Sequence, residues 1–393
     1  MAKRIAVIGA GLVGSAAALG LMRQGFEVVL IDGVKPERAA GRLGLDIRNV
    51  ALNPQSQSLL ASLGVWSEVP KVAYERMSIW EHTGTSVLNF SAADAQRSEL
   101  GWIVENSPLQ VALYDRCAAA MEVRLDSVAA IEVTDQQVGL RLDSGERCEV
   151  DFVVAVDGAR SPTREFLGIP VKRHAVEQTA LATVVRTGKS HQNCAWQRFL
   201  QDGPLALLPA ADDDEGNHRV SIVWSQSAES AAAHRTLSDD EFCRALTQVS
   251  EACVGEITAV DERLTFPLTQ QQAKTFVFKH KVVLLGDAAR VVHPLAGLGV
   301  NLGFEDVLAF LQVTDDGLQI RGLNTFQRQR AQRSEHMIAL LATLRKAYQE
   351  RNPWLIWARN LAVGQLDRMD LVKRQIMQEA MGLGPIAQVA EKA

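Results

Sequence analysis

The sequence has few cysteines and no pattern that would use them as ligands. Five cysteines are spread over 393 residues without a Cys-x-x-Cys pair, which disfavours a disulfide framework or a zinc site and fits a reducing compartment. The eight histidines show no metal-ligand spacing, so we expect no bound metal. No stretch of eighteen apolar residues occurs, and residues 4–8 lead into a glycine-rich turn rather than a cleavage site. We therefore expect neither a membrane-spanning helix nor a signal peptide.

The sequence also lacks an excess of positive charge. Its formal net charge is −5, which argues against a nucleic-acid-binding protein. Neither Gly-x-Ser-x-Gly nor His-Glu-x-x-His occurs, so the motifs of serine hydrolases and zinc proteases are missing. The composition is that of a globular protein, with 47% apolar and 22% charged residues, and the length suits two or three compact lobes.

The first informative pattern is a glycine motif between a strand and a helix. Residues 4–8 and 27–31 predict buried strands and residues 12–24 predict the helix between them, which together make a βαβ unit. Gly-x-Gly-x-x-Gly in this context permits a tight turn, close approach to a pyrophosphate and close helix packing. An acidic residue at the end of the second strand can accept hydrogen bonds from a ribose. We predict that a dinucleotide binds at Gly9, Gly11, Leu12, Val13, Gly14 and Asp32.

A second motif follows another apolar strand, at residues 282–286. Asp287 stands at the carboxyl end of that strand, where it can bind a hydroxylated chain such as flavin ribityl. Beyond it, a proline and two glycines precede a predicted helix over 300–313, whose N-terminus would point its free N–H groups and positive dipole end at a flat ring. The predicted flavin contacts here are Asp287, Pro294, Gly297, Gly299, Val300 and Asn301. The two motifs together predict tightly bound FAD rather than a transient nicotinamide.

Nucleotide-type elements lie at both ends of the first 315 residues, with a strand-rich segment between them. This order predicts an α/β fold with a Rossmann-like FAD-binding domain, an inserted β-sheet substrate domain and a helical C-terminus. The predicted FAD-binding domain is discontinuous and consists of residues 1–75, 101–172 and 265–320. The predicted substrate domain consists of residues 76–100 and 173–264, and the C-terminal helical region of residues 321–393.

A third motif gives the chain its resemblance to a known family. Asp157-Gly158-Ala-Arg160-Ser161-x-x-Arg164 follows a buried strand and resembles the middle motif of the class A flavoprotein aromatic hydroxylases, which have the p-hydroxybenzoate hydroxylase fold. In that family the motif serves FAD and a pyridine nucleotide, so the resemblance adds Asp157 to the predicted cofactor-binding residues. All three motifs occur in the order of that family.

A closer resemblance is to the ubiquinone-biosynthesis hydroxylases, also called 2-polyprenylphenol hydroxylases. The matching pieces span nearly the whole chain and are Asp46-Ile-Arg48-Asn-Val-Ala51, Leu63-Gly64-Val65-Trp66, Gly101-Trp-Ile-Val-Glu105-Asn106-Ser-Pro-Leu-Gln110, Ala195-Trp196-Gln197-Arg-Phe199, Gly203-Pro204, Phe266-Pro267-Leu268 and Leu371-Val-Lys373-Arg374-Gln375. In such enzymes the residues that match Arg48 and Gln110 lie against the FAD. The chain departs from the family at Arg290, where histidine is frequent, and in the acidic loop 212–215.

The resemblance implies an FAD-dependent monooxygenase that hydroxylates the aromatic ring of a polyprenylated phenol or quinol in ubiquinone biosynthesis. In that family NAD(P)H reduces FAD, O2 adds at flavin C4a, and the hydroperoxide delivers one oxygen atom to the ring. The implied partners are a hydrophobic polyprenyl phenol or quinol and O2, with other quinone-biosynthesis proteins as candidates for an assembly. The cofactor performs the chemistry, while the protein positions ring and flavin and excludes water.

His293 and Pro294 are the candidate catalytic positions. A phenol is activated by loss of its proton, so a general base would help, and His293 precedes the loop predicted to face the flavin. The alternative is a loop histidine that hydrogen-bonds to the structure or to the cofactor.

The C-terminal region is basic, with eleven Lys/Arg against four Asp/Glu in residues 321–374. Trp354 and Trp357, with helices predicted over 327–351 and 355–381, would suit a membrane interface. The alternative is a helical layer packed on the cofactor domain. We expect a cytoplasmic protein, with this region as its candidate peripheral contact to the inner membrane.

Three other functions compete with the hydroxylase. A flavin monooxygenase that acts on a small soluble aromatic compound would keep every motif. A non-catalytic flavin-binding scaffold subunit of a quinone-synthesis complex would bind FAD without forming a hydroxylated product. An NAD-dependent dehydrogenase would need only the first glycine motif and would leave Asp157 and Asp287 unexplained.

Overall fold

The computed structural model describes residues 3–82, 86–293, 297–315, 317–349, 365, 367 and 369–383. The strands are β1 (Arg4–Ile8), β2 (Glu27–Ile31), β3 (Asn49–Leu52), β4 (Lys71–Tyr74), β5 (Arg76–Glu81), β6 (Val87–Ser91), β7 (Gly101–Glu105), β8 (Glu122–Arg124), β9 (Val128–Val133), β10 (Val138–Leu142), β11 (Arg147–Val150), β12 (Phe152–Ala155), β13 (Val171–His174), β14 (Thr179–Thr187), β15 (Cys194–Phe199), β16 (Pro204–Pro209), β17 (His218–Gln226), β18 (Ile257–Val260), β19 (Leu264–Pro267), β20 (Gln270–Ala273), β21 (Val277–Phe278), β22 (Val282–Leu284) and β23 (Arg290–Val291). The helices are α1 (Leu12–Arg23), α2 (Pro54–Ser62), α3 (Asn106–Ala120), α4 (Pro162–Phe166), α5 (Ala228–Thr236), α6 (Asp239–Val249), α7 (Leu298–Asp315), α8 (Ile320–Gln349) and α9 (Asp370–Ala380).

A six-stranded sheet with the order β21-β22-β12-β1-β2-β8 forms the centre of one lobe. Its strands pair in parallel, except for the antiparallel pair β21–β22. The middle strands are buried runs of Val, Ile, Leu and Ala, and side chains from α1, α3 and α7 share one core with them. Ligands of such sheets bind beyond the carboxyl ends of the strands, so the turns after β1, β12 and β22 are where a site is expected.

A second, eight-stranded sheet is built from residues 76–91 and 179–267. Its order is β18-β14-β17-β16-β15-β5-β6, with β19 also paired to β14. Leu207, Ile222 and Trp224 lie on one face and pack against Phe242 and Leu246 of α6; we call this the outer face. The parallel central sheet and this inserted sheet confirm the predicted α/β fold class, whereas the exact domain boundaries stay a prediction.

The C-terminal helices lie against both lobes. Phe326, near the start of α8, belongs to the core of the central sheet, whereas Tyr348, near its end, stacks on Phe199 of β15 with the ring centroids 3.7 Å apart. Met377 of α9 packs against Phe90 of β6. The described part of this region is thus a packed layer that also covers the inserted sheet.

The two tryptophans assigned to a membrane interface, Trp354 and Trp357, lie outside the described residues. Within the part of the chain that the structure describes, none of the helices combines the length and the apolar character needed to cross a membrane.

Candidate active site

The turn after β1, residues 9–14, is shaped by its glycines in two different ways; we call it the first turn. Gly9 has a φ of +106°, and a Cβ there would overlap the backbone of Val156. A Cβ on Gly14 would overlap the carbonyl oxygen of Gly9. A Cβ on Gly11, in contrast, would meet nothing within 4 Å in the part of the chain that the structure describes. Packing therefore requires the outer two glycines, and the middle one keeps the turn open to a ligand, as a pyrophosphate site requires.

Two further predicted residues meet the first turn at Ala10. The Asp32 carboxylate accepts the backbone N–H of Ala10 at 2.6 Å and that of Val34 at 3.0 Å. From α3, the Gln110 amide nitrogen donates to the carbonyl oxygen of Ala10 at 3.4 Å. The structure therefore brings Asp32 and Gln110 to the same turn, as expected for the nucleotide side of the site.

Leu12 and Val13 contribute to the site differently from the glycines. Leu12 is buried in the main core. Val13 fills the space beside two glycines, since a Cβ on Gly286 would lie 3.4 Å from its side chain and one on Gly303 would lie 2.5 Å away. Both side chains pack within the protein, which leaves the backbone N–H groups at the start of α1 as the means of contacting a phosphate.

The turn after β22, residues 286–290, carries the predicted ribityl-binding aspartate; we call it the second turn. Gly286 has a φ of +57°, which explains the glycine there. Asp287 is exposed to solvent on one side, yet protein surrounds it closely enough for burial to raise the pKa of its carboxyl group. The negative charge of Asp306 also raises this pKa, whereas the positive charge of Arg290 lowers it. An accessible carboxylate that is enclosed by protein marks the floor of a cleft, where hydroxyl groups of a ligand could replace lost water.

Five charged residues, four of them buried, hold the second turn in place; we call them the buried charge network. Its members are Arg290, Glu305, Asp306, Arg330 and Arg333. Asp306 of α7 pairs with Arg290 and, at 2.6 Å, with Arg330 of α8. Burial would raise the pKa of Asp306, but the two guanidinium groups outweigh it and hold the pKa below its usual value.

The buried charge network also acts directly on the backbone of the turn. Asp306 accepts the N–H of Gly286 at 3.0 Å, and Arg290 donates to the carbonyl oxygen of Leu302 at 2.6 Å. Sequence reasoning noted Arg290 only as a departure from a family and missed its partners. The one available signal was an Asp at position 306 and an Arg at position 330, on consecutive helices.

The middle motif adds an acceptor that has no partner within the described residues. Asp157 accepts the N–H of Thr163 through Oδ2 at 2.9 Å, while its other oxygen, Oδ1, is buried and unpaired there. Arg164 of the same motif is buried and donates to the carbonyl oxygen of Ala288 at 2.9 Å, which ties the middle motif to the second turn. A buried unpaired carboxylate oxygen is costly unless a ligand donates to it.

The start of α7 supplies the remaining predicted flavin contacts. Gly297 has a φ of +63° and lies so close to Ala51 that a Cβ would be 3.1 Å from that side chain. A Cβ on Gly299 would meet no atom of the described residues within 4 Å, which leaves room there for a flat ligand. Val300 packs on the main core. Pro294 lies outside the described residues.

The prediction for Asn301 has to be narrowed. Its side-chain oxygen accepts from the Asn53 N–H at 3.0 Å and from the Ser56 hydroxyl at 2.7 Å. Its amide nitrogen donates to the carbonyl oxygens of Ala51 and Gly297. The side chain thus joins α7 to β3 and α2, and only the main chain of Asn301 is left to contact a flavin.

The face of the inserted sheet that is opposite the outer face looks toward β3 and the loop 41–46; we call it the inner face. Val184 packs against Leu45, and the Asn49 amide donates to the Ser221 hydroxyl at 3.2 Å. The exposed Arg48 precedes Asn49 and therefore lies at the rim of this contact. On the same face Phe199 packs against Leu298 at the start of α7, and we call the space between the inner face and the carboxyl ends of the central strands the cleft.

His293 lies at the side of the cleft and is 2% exposed. Its Nε2 is 2.9 Å from the side-chain oxygen of Gln178, whose nitrogen donates to the carbonyl oxygen of Asp202. A carboxamide oxygen can only accept, so Nε2 carries the proton and the lone pair is on Nδ1. Burial lowers the pKa of His293 to about 4, and the positive charge of Arg345 acts in the same direction.

These residues suit an FAD molecule. The first turn offers an open N-terminus to a pyrophosphate, Asp157 and Asp287 offer acceptors to hydroxyl groups, and Gly299 leaves room for a flat ring. The histidine beside the ring site is neutral at neutral pH, because burial and the charge of Arg345 disfavour its protonated form.

Comparison with known proteins agrees with this geometry. Residues 3–339 match a family model described as FAD binding domain. The 3-demethoxyubiquinol 3-hydroxylase of Escherichia coli (strain K12) is 32% identical, covering 96% of this chain and 98% of the relative. Ubiquinone hydroxylase UbiL of Rhodospirillum rubrum is also 32% identical, covering 97% of this chain and 90% of the relative.

Two solved structures share the fold. The p-nitrophenol 4-monooxygenase PnpA from Pseudomonas putida DLL-E4 superposes with a TM-score of 0.77 at 18% identity, covering 98% of this chain and 99% of the other. HpxO from Klebsiella pneumoniae, solved with FAD and uric acid, superposes with a TM-score of 0.74 at 18% identity, and the match covers 98% of each chain. These likenesses confirm the predicted p-hydroxybenzoate hydroxylase-like fold class.

Proposed function

Because the chain belongs to the FAD-dependent hydroxylase family of ubiquinone biosynthesis, we propose that it hydroxylates the aromatic ring of a polyprenylated phenol or quinol. The proposed reaction replaces one ring C–H by C–OH. One oxygen atom of O2 enters the ring and the other leaves as water, with two electrons from NAD(P)H and one proton from solvent.

FAD, when bound, supplies the oxygen chemistry, and the protein supplies binding and geometry. Asp157 and Asp287 are assigned to the hydroxyl groups of the cofactor, with Asp32 and Gln110 at its nucleotide end. The N-terminus of α7 would direct its main-chain N–H groups toward the ring and would favour negative charge on it. Arg48, at the rim of the cleft, is assigned a contact with the cofactor by resemblance to the family.

We assign His293 to the proton of the ring hydroxyl. The Gln178 hydrogen bond fixes the tautomer that has its lone pair on Nδ1, and burial keeps the imidazole neutral at neutral pH. A neutral imidazole can accept a hydrogen bond from the phenol hydroxyl, which draws the O–H proton toward nitrogen and makes the ring more electron-rich.

The observation that carries this proposal is the unpaired, buried Asp157 oxygen together with the accessible Asp287 carboxylate on the floor of the same cleft. A protein with only a nicotinamide motif would need neither. The apolar inner face supports an aromatic substrate rather than a charged one.

The test is product identification. Deletion of the gene, followed by mass spectrometry of the quinone intermediates, should show accumulation of a precursor that lacks one hydroxyl group. The purified yellow protein should convert that precursor with NAD(P)H and O2. Conversion only of small soluble phenols would favour the alternative monooxygenase, and restoration of quinone synthesis by a variant without hydroxylase activity would favour the scaffold function.

We also propose that the basic C-terminal region places the protein at the inner-membrane surface, where a polyprenyl substrate resides. The support is the positive charge of residues 321–374 and the packing of α8 and α9 on the inserted sheet. Sedimentation with anionic vesicles that weakens in high salt would support it; equal recovery with neutral and anionic vesicles would not. Co-purification with other quinone-biosynthesis proteins would test the proposed assembly.

A further inference from the structure

One polar side chain interrupts the apolar part of the inner face. The register of the strands places five residues side by side in a row, which we call the middle row: Ile79, Gln197, Ala206, Val223 and Ala182. Gln197 is the member of this row whose side chain can form hydrogen bonds. Trp196, its neighbour in β15, packs on the outer face, so alternation along the strand turns Gln197 to the inner face.

The two rows that flank the middle row locate it within the cleft. On one side, Phe199 packs with Val292 and Leu298, the residues that border the predicted flavin loop. On the other side, Ser221 contacts Asn49 at the start of β3. The middle row therefore spans the interval between the start of α7 and β3, where a ring lying over the flavin would rest.

Gln197 has no evident role in holding the protein together. It is 5% exposed, and no hydrogen bond joins its carboxamide to another residue within the described ranges. The carboxamide atoms of Gln197 are not completely sealed from solvent, although they have no partner among the described residues. The carboxamide therefore reaches the cleft. Beside Ile79 and Val223, the hydrogen bonds of this amide are left to water or to a ligand in the cleft.

We propose that the Gln197 carboxamide hydrogen-bonds to an oxygen substituent of the aromatic substrate and thereby selects which ring carbon faces the flavin. This inference rests on the proposed hydroxylase function. The carbonyl oxygen of the amide accepts a phenol O–H, and its nitrogen donates to a methoxy or phenolate oxygen. The remaining members of the middle row contact the ring without directional preference, so Gln197 supplies the orientation.

The test compares two probes that differ in one hydrogen-bond donor. The FAD-loaded full-length protein is titrated with 2-(3-methylbut-2-enyl)phenol and with its methyl ether, and binding is followed by the change in the visible flavin spectrum. The wild type should bind the phenol about fivefold to tenfold more tightly than the ether, the range expected for one hydrogen bond. Gln197→Met, which keeps the length of the side chain, should bind both probes equally.

We expect the same result for Gln197→Leu, whose side chain is branched and shorter. This variant keeps the test valid if Gln197→Met does not fold. Trp196→Phe is the matched control, since it changes the adjacent residue on the outer face and should keep the wild-type preference. The ratio of hydroxylated ring positions in the product should also shift in Gln197→Met and stay unchanged in Trp196→Phe.

The outcomes separate this inference from the proposed function. An unchanged preference for the phenol in both Gln197 variants, or equal binding of the two probes by the wild type, would overturn the role of Gln197 alone. Absence of any spectral response of the yellow wild-type protein to either probe would overturn both.

Discussion

The first turn and the second turn, which we propose to bind opposite parts of one ligand, are held by different forces. The first turn is fixed by contact of backbone with backbone, since Gly9 and Gly14 leave no room for a side chain. The second turn is fixed by charge, since Asp306 holds Gly286 and pairs with two arginines. The first turn depends on backbone contacts within itself and with Val156 after β12, whereas the second turn depends on charged side chains of the two helices that follow it.

Breaking the second turn should have the largest effect. Asp306→Ala leaves Arg290 and Arg330 buried without their carboxylate and frees the N–H of Gly286. We expect the free energy of unfolding to fall by about 3–5 kcal/mol, with loss of bound flavin. Urea denaturation and the flavin absorbance of the purified protein measure the two effects. A loss below about 1 kcal/mol would contradict the role given to the network.

The glycines of the first turn offer a matched pair. Gly14→Ala forces a methyl group into the backbone of Gly9 and should cost about 3 kcal/mol, at the upper end for overpacking. Gly11→Ala places its methyl group in open space and should leave the stability of the flavin-free protein unchanged while weakening FAD binding. Equal stabilities of the two variants would refute the division between packing and ligand glycines.

The ligand side of the second turn is tested at Asp287. Asp287→Ala removes the carboxylate on the cleft floor without touching the charge network, so the fold should persist. FAD affinity should fall by about 1.5–3 kcal/mol, the range for hydrogen bonds to a charged group, which yields pale or colourless protein. The measurement is fluorescence titration of the flavin-free protein with FAD. Full occupancy of the variant after purification would show that this carboxylate does not hold the cofactor.

The smallest effect concerns pH and His293, just beyond the second turn. The pKa of His293 is lowered from 6.5 to about 4 in the folded protein. Below pH 6.5 this histidine therefore binds a proton more readily in the unfolded chain than in the folded protein. Stability should therefore fall as the pH drops from 6.5 toward 4, by up to about 2 kcal/mol at pH 5. His293→Gln should lose this part of the pH dependence. His191 and His234, whose pKa values burial also lowers, provide the common background.

The amino-acid sequence alone predicted the turns of this candidate site that are formed by residues close together in the chain. The glycine spacing, the acid at the end of β2 and the Gly286-Asp287 turn are local patterns, and the family motifs placed them in order. The inserted sheet and the α/β class followed from the alternation of strands and helices. Each of these features is specified within one supersecondary unit.

The parts that could not be predicted depend on contacts between distant segments. Arg290, Asp306 and Arg330 meet only because α7 and α8 pack together over the second turn. The direction in which Gln197 points depends on the register of four other strands. Asn301 was predicted to contact the flavin, but its side chain is already hydrogen-bonded to Asn53, Ser56 and the backbone of β3.

The order in which strands join the central sheet has a consequence for synthesis of the chain. Strand β12 pairs with β1 on one side and with β22 on the other, although about 130 residues separate β12 from β22 in the sequence. While the ribosome has delivered only the first 280 residues, one side of β12 has no partner strand and its apolar row is open to misassociation. We therefore expect slow maturation of the chain, because the central sheet closes only after the inserted sheet has been synthesised.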